Sequence, residues 1–355
     1  MSQYLVLSHI EVQNANSIAG FTWGFPAITG FLGFTHALNR KLSKQFDGEF
    51  DTEFTGCAII SHSYKNKVYQ PKKFADFEFI QSRNPPVLEK NKNGKKVPVI
   101  EEGKMNLTVS LVIELNKALL LSNEQINQFE KTVLNHCYQL RLVGGAILNI
   151  KKAKLLSANT TEQHSGMLKK IKRLTMPGFV LLDRSDYLKE HFQELLEKSA
   201  QEEQDKPTLF DAWLDFCALK SKAIPKLAEG QVEPDSATDA DWLYQAKPKS
   251  GYLVPLMTGY KAISQVFDSG EVTNTRDKET PVCFVEAIHS VGEWKGIHSL
   301  ESIESVIWRY NHDGQWYLCK QGLPAEKTSG KQSDLTTSNE QLLQTLNFND
   351  ALNNW

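Results

Sequence analysis

The sequence predicts an α+β fold whose core is a ferredoxin-like, RRM-like βαββαβ unit. Three observations carry this. Residues 105–115 alternate, with Met105, Leu107, Val109, Leu111, Ile113 and Leu115 on one side and Asn106, Thr108, Ser110 and Glu114 on the other, the period of a half-buried strand. Residues 123–140 carry Ile126, Phe129, Val133, Cys137 and Leu140 as one helical stripe behind Ser122, a favoured N-cap. The periodic segments over 1–158 run strand, helix, strand, strand, helix, strand, an order in which both helices cover one face of an antiparallel sheet and the other face stays wet.

The first strand spans about 4–12, with Tyr4, Val6, Ile10 and Val12 on one side and His9, Glu11 and Gln13 on the other. The stretch 13–40 (QNANSIAGFTWGFPAITGFLGFTHALNR) follows. It turns through Asn14, Asn16 and Gly20, crosses an aromatic knot of Phe21, Trp23 and Phe25, and opens a helix at Pro26. Proline suits a first helical position because its missing N–H would be unpaired there anyway. Ile28, Phe31, Leu32, Leu38 and Leu42 give that helix its core face to about 45. Gly30 and Gly33 lower its propensity, which predicts a close packing partner or ligand. A second strand covers 54–69, buried at 58–61, and Gly144-Gly145 precede a fourth at 146–150.

An insertion at about 70–104 separates strands two and three. It carries Lys72, Lys73, Arg83, Lys90, Lys92, Lys95, Lys96 and Lys104, and Asn93-Gly94 is a strong hairpin signal. Two readings stay open: a basic finger laid on phosphates, or a solvated loop. A second basic stretch follows strand four, Lys151, Lys152 and Lys154, then Lys169, Lys170, Lys172 and Arg173 before Met176-Pro177-Gly178.

The C-terminal part, 159–321, begins with a short strand at 179–182. Ser185 caps a helix to 199, and Thr208 with Asp211 has capping-box spacing for a helix over 209–220. Residues 229–241 are acidic and breaker-rich, a surface loop, so 185–247 reads as a helical insertion. Strand patterns return at 252–257, 262–267 and 282–288; 301–310 is helical or extended; a last strand, 315–319, follows the Asp313-Gly314 turn. From 322 to 355 Ser, Thr, Gln, Asn and Lys dominate, a tail expected to be mobile with one short helix near 340–346.

The totals narrow the function classes. A chain of 355 residues with formal net charge −2 has no global field to hold a polyanion, so a nucleic-acid surface must be local. Five dispersed cysteines predict reduced thiols in a cytoplasmic protein, not a disulfide framework. No basic leader and no membrane-length apolar run is present, so neither secretion nor membrane insertion is expected. No phosphate loop, Cys-x-x-Cys pair, His-Glu-x-x-His, calcium loop or Gly-x-Ser-x-Gly elbow occurs, so neither nucleotide hydrolysis nor a bound cofactor or metal is expected.

The remaining chemistry suits recognition. Asn14, Asn16 and an aromatic face of Trp23 or Phe25 fit flexible single-stranded nucleic acid, whose unstacked bases offer polar edges and flat faces; equally, aromatics form cores and Asn and Gly form turns. The third strand's wet face bears Asn, Thr and Ser instead of the aromatic RNA-recognition motif, so RNA is not expected to stack on the sheet. Gly144 and Gly145 beside Arg141 either turn the chain or let a ribose-phosphate come close. His36 and His62 are the one pair considered for metal-free RNA cleavage.

The blocks QNANSIAGFTWGFP, GFLGFTHALNRKL, IEEGK, RLVGGAIL, MPGFVLL, GYLVPLMTGYKAIS and GEVTNTRDKETPVCFVEAIHSVGEW, in this order, resemble the Csy family of type I-F CRISPR surveillance complexes. Within it they are similar to the second, Cas-five-like subunit, which caps the 5′ handle of the guide RNA. They span about 4–320; the tail and 89–96 are not covered. The resemblance implies a repeat-associated RNA-binding (RAMP) fold with a thumb hairpin, coincident with the basic insertion. It implies a non-catalytic chain that binds the crRNA 5′ handle, pairs with the large Csy subunit, adjoins the backbone Csy subunits and meets target DNA through the complex, where base pairing supplies specificity. Under it Asn14 and Asn16 offer amide edges, Trp23 and Phe25 stack or support the turn, and His36, Arg40, Arg83, Lys104, Arg141, Gly144, Gly145, Arg173 and Arg276 are candidate RNA contacts. Arg276 also has Asp277 and Glu279 as loop partners. The rival is a RAMP-type endoribonuclease that processes the precursor RNA.

Overall fold

A computed structural model describes residues 2–45, 52–82, 100–201, 205–226, 233–234, 238–275 and 277–322, and the fold is α+β. The described chain forms two compact units. The larger comprises the described residues of Met1–Leu182, Leu256–His289 and Lys295–Pro324, and the smaller is built on Asp183–Pro255 and Ser290–Trp294.

In the larger unit β1 (Ser2–Asn16) leads through two short strands, β2 (Ile18–Ala19) and β3 (Thr22–Trp23), to helix α1 (Ile28–Gln45). Pro26 therefore stands two residues ahead of the helix and not at its first position. Strand β4 (Phe54–Asn66) follows, with β5 (Val68–Tyr69), β6 (Glu78–Ser82) and β7 (Ile100–Glu102) forming a small separate sheet. Next come β8 (Lys104–Leu115), α2 (Asn123–Tyr138), β9 (Arg141–Leu142) and β10 (Gly145–Ala158). The major sheet orders these strands β4–β8–β1–β10–β9, and every pairing among them is antiparallel.

Beyond β10 lie α3 (Thr161–Thr175) and β11 (Phe179–Asp183). In the C-terminal part of this unit β16 (Trp308–Asp313) pairs with β4 and β17 (Trp316–Lys320), joined by the expected turn at Gly314. Met167 and Ile171 of α3, with Val180, Leu182, Ile297, Ile303 and Ile307, close over Tyr4, Val6, Ala58, Ile60 and Val112. The alternate residues Leu5, Leu7, Ile59, Leu111 and Ile113 are buried on the other face, where α1 and α2 pack against β4 and β10.

This cover corrects several expectations. The first and third strands are wet on one side over only part of their length, at Glu11, Gln13, Asn106 and Thr108. Residues 3–8 are buried on both faces, as are Ser110 and Val112, because α3 and the C-terminal segments return over the second face. Lys151, Lys152 and Lys154 lie inside β10, not after it. Arg173 ends α3, a helix unforeseen because its buried side chains are only Met167, Ile171 and Thr175, one narrow i, i+4 row in a polar sequence. Among the helix glycines only Gly30 has a close partner: a Cβ there would stand 2.9 Å from Val143, whereas Gly33 faces open space.

In the smaller unit α4 (Ser185–Gln201) and α5 (Leu209–Cys217) pack Leu188, Phe192, Trp213 and Phe216 against Leu253 and Val291. The Thr208–Asp211 capping box is formed as expected. The segment 185–247 is not helical throughout: β12 (Lys220–Pro225) and β13 (Ala240–Gln245) make a hairpin exposed on both faces. Likewise 252–262 is one strand, β14, and 285–296 another, β15, while 262–267 is not a strand. The Asn93-Gly94 turn, most of the insertion's lysines, Arg83, Arg276, much of 229–241 and the tail from 323 lie outside the described residues.

Candidate nucleic-acid interface

The end of β1 gathers most of the residues the sequence singles out. Asn14 sits in the left-handed region, φ 58°, which asparagine tolerates well. This kink accompanies a register shift against β8 between Val12 and Ala15, and it presents the Asn14 side chain to solvent. The Asn14 N–H donates to Asn106 Oδ1 at 3.2 Å, and Lys67 Nζ donates to Asn14 Oδ1. The Asn14 carbonyl is thus engaged, while its amide NH2 has no partner among the described residues.

Asn16 behaves differently. Its Nδ2 donates to the Ile18 carbonyl (3.1 Å) and its Oδ1 accepts from the Ile18 N–H (3.2 Å), so the whole amide clamps the turn. Its backbone N–H donates to Val143 O at 2.9 Å, which ties β1 to the turn before β10. Lys104 lies opposite Asn16 on β8. The Asn16 side chain is a turn former here, with one amide N–H and one oxygen lone pair beyond its bonds to Ile18.

Trp23 stacks on Phe79 with ring centroids 3.6 Å apart and covers Gly103, where a Cβ would meet the indole at 2.3 Å. Trp23 as a residue remains 37% exposed. Phe25 stacks on Phe31 of α1 at 5.5 Å, which makes it a packing residue. Phe21 is half exposed and lies 4.1 Å from the His289 ring, whose pKa burial lowers.

The glycine pair divides. Gly144, φ 81°, is open: an added Cβ would find only Asn16 Cβ, 3.9 Å away. Gly145 is pressed on β1, where a Cβ would stand 2.5 Å from Val12 and 2.7 Å from the Gln13 carbonyl, so no ribose-phosphate fits at it. Arg141 is exposed and donates one guanidinium N–H to Gly144 O at 3.3 Å, leaving the rest of its fork outward.

Asn14, Asn16, Trp23, Lys104, Arg141, Gly144 and Gly145 therefore share one neighbourhood. His36 and Arg40 stand exposed on α1, and Arg173 at the end of α3; no described contact joins them to it. Sequence reasoning missed Lys67, Phe79 and Asn106, which enter only through strand pairing and the folded-back insertion.

The histidine pairing also differs from expectation. The partner of His62 is His9, stacked at 4.0 Å with an interplanar angle of 10°. His62 Nδ1 lies 2.6 Å from Pro177 O and its Nε2 2.6 Å from Ser110 Oγ. A carbonyl only accepts, so Nδ1 carries the proton and Nε2 takes the serine's hydrogen. Burial is the first cause that lowers the pKa of both rings. Among the described residues no group of His, Cys, Asp or Glu could hold a metal ion, and no helix is long and apolar enough to cross a membrane.

A family model described as CRISPR-associated protein (Cas_Csy2) matches residues 5–319. A protein of Pseudomonas aeruginosa (strain UCBPP-PA14), described as CRISPR-associated protein Csy2, is 32% identical over 317 residues, covering 87% of this chain and 91% of that one.

Proposed function

The chain belongs to the Csy2 family of CRISPR-associated proteins, and from that premise we propose that it is a non-catalytic subunit of a type I-F surveillance complex that grips the 5′ handle of the guide RNA. The observation that carries this reading is the convergence of an exposed amide (Asn14), a partly exposed Trp23, cationic Lys67, Lys104 and Arg141, and bare backbone at Gly144 around the end of β1. Cations meet phosphates, the amide meets base edges, and the ring offers a stacking face. The element order β1, α1, β4, β8, α2, β10 supports a ferredoxin-like RAMP core. In this reading the chain pairs with the large Csy subunit, adjoins backbone subunits, meets target DNA through the complex and works in the cytoplasm. Arg40, Arg83, Arg173 and Arg276 remain proposed contacts.

The test is purification of the full chain with its partner and sequencing of the RNA that accompanies it. One repeat-derived 5′ end is expected, protected from nuclease, and Asn14→Ala or Trp23→Ala should weaken its binding by about 1–3 kcal/mol. Repeat RNA incubated with the chain alone should stay intact. Cleavage that disappears in His36→Ala or His62→Ala would overturn the non-catalytic reading.

A further inference from the structure

One face of the major sheet is divided along its strands. Near Tyr4, Val6, Ala58, Ile60 and Val112 it is covered by α3 and the C-terminal segments. The stacked His9–His62 pair and Ser110 form a seam at the edge of that cover. Beyond the seam the same face is bare. Thr108 lies opposite both Ser63 and Glu11, and Asn106 opposite Lys65, so these side chains stand together on one surface. They line a groove of about 330 Å³ together with the exposed Gln13 and Leu148, while Tyr64, which pairs with Leu107, carries its ring on the other face of the sheet.

The groove's polar groups are unspent. Gln13, Ser63, Lys65 and Thr108 have no side-chain hydrogen bond or ion pair among the described residues, and Asn106 uses only its Oδ1, for the Asn14 N–H. Glu11 accepts from Asn149 Nδ2 at 3.3 Å with one of its two carboxylate oxygens. A sheet that buries both faces around Tyr4 and Val112 leaves a patch here whose donors and acceptors water or a ligand can meet.

We propose that this groove seats one nucleotide of the single-stranded RNA held at the end of β1. This rests on the RNA-binding reading and adds a second contact to it. Amides of Gln13 and Asn106 donate and accept as a base edge does, and the Glu11 carboxylate accepts from a base N–H. Lys65 offers an unpaired ammonium to the adjoining phosphate. A peptide strand is the weaker fit, because strands add to sheet edges through backbone bonds, and this is a sheet face of polar side chains. Asn106 links the groove to the candidate interface, so one strand of RNA can run from Asn14 into it.

The test uses the full chain with its partner and the RNA that elutes from it, end-labelled. Ultraviolet crosslinking and peptide mass spectrometry should place a nucleotide on a peptide that contains Gln13, Lys65 or Asn106. The Gln13→Ala/Lys65→Ala double variant, checked for an unchanged melting temperature, should bind about tenfold more weakly. Lys65→Ala alone should reduce the slope of log K against log salt by about 0.7, and Gln13→Ala alone should leave that slope unchanged. If wild type retains RNA but the double variant binds as tightly and no peptide containing Gln13, Lys65 or Asn106 carries a crosslink, the groove assignment fails while the RNA reading stands. If wild type retains no RNA, both fail. If a lysine-reactive reagent joins Lys65 to another protein and no nucleotide is found there, the groove is a protein interface and the assignment is overturned.

Discussion

His62 is held at both edges of its ring, by Pro177 O and Ser110 Oγ, and by His9 across its face. Ser8 Oγ donates to Leu174 O at 2.6 Å and so accepts from His9 Nδ1 at 2.8 Å, which makes both rings neutral Nδ1–H tautomers. Their pKa values are lowered in the fold, chiefly by burial, so the unfolded chain takes up protons first as pH falls through about 6.5. Their contribution is therefore full above that value and is lost below it. The melting temperature should drop as pH is lowered from about 7 to about 5, and His62→Gln, which keeps a donor and an acceptor, should flatten that drop. An unchanged profile in the variant would assign the acid sensitivity elsewhere. At this scale the sequence marks His62 as a residue of interest, but its partner sits 53 positions away and is fixed only by strand pairing.

At the scale of elements, local signals are reliable where one motif is self-contained. Ser122, the N-cap expected from the sequence, accepts from the Gln125 N–H, and Gln125 Oε1 accepts from the Ser122 N–H, which completes a capping box within four consecutive residues. Ser122→Ala should cost about 1 kcal/mol in chemical unfolding, and Gly at that position only a few tenths. Where an element is defined by its neighbours, the reading falls short. α3 shows one sparse row of apolar residues, and its lysines and Arg173 mask it as a basic loop. β10 continues through Lys151, Lys152 and Lys154 because β1 is long enough to pair with it, Ser2 facing Ala158. β12 and β13 bury neither face, so no alternation of burial marks them, although Trp242, Leu243 and Tyr244 favour strand.

At the scale of the whole chain, a buried ion pair holds the C-terminal part of the larger unit onto its N-terminal sheet. Arg309 on β16 grips Glu114 on β8 with both Nε (2.9 Å) and an NH2 nitrogen (2.7 Å), and Thr55 donates to the same carboxylate at 2.5 Å. Arg309 is 9% exposed. Arg309→Ala would leave the partly buried Glu114 carboxylate without its counter-charge, with only Thr55 donating to it, and should destabilise the chain by about 3 kcal/mol in denaturant titration. The Arg309→Ala/Glu114→Gln double variant should recover part of that loss. Equal stability of Arg309→Ala and wild type would mean that the pair is solvated and carries little.

The alternation of 105–115, the stripe of 123–138 and the order of strands and helices follow from periodicity, a property of neighbouring residues, and so the α+β core is legible in the chain alone. So is the concentration of amides and aromatics at 13–25. What the chain alone misjudges is which polar side chains stay free. Asn16 is partly spent on Ile18 two residues on, Gly145 is pressed against β1, and the face expected to be wet is half covered by segments 180–182 and 297–307. Exposure depends on contacts between residues more than a hundred positions apart, and no local pattern of hydrophobicity encodes where a distant segment will come to rest.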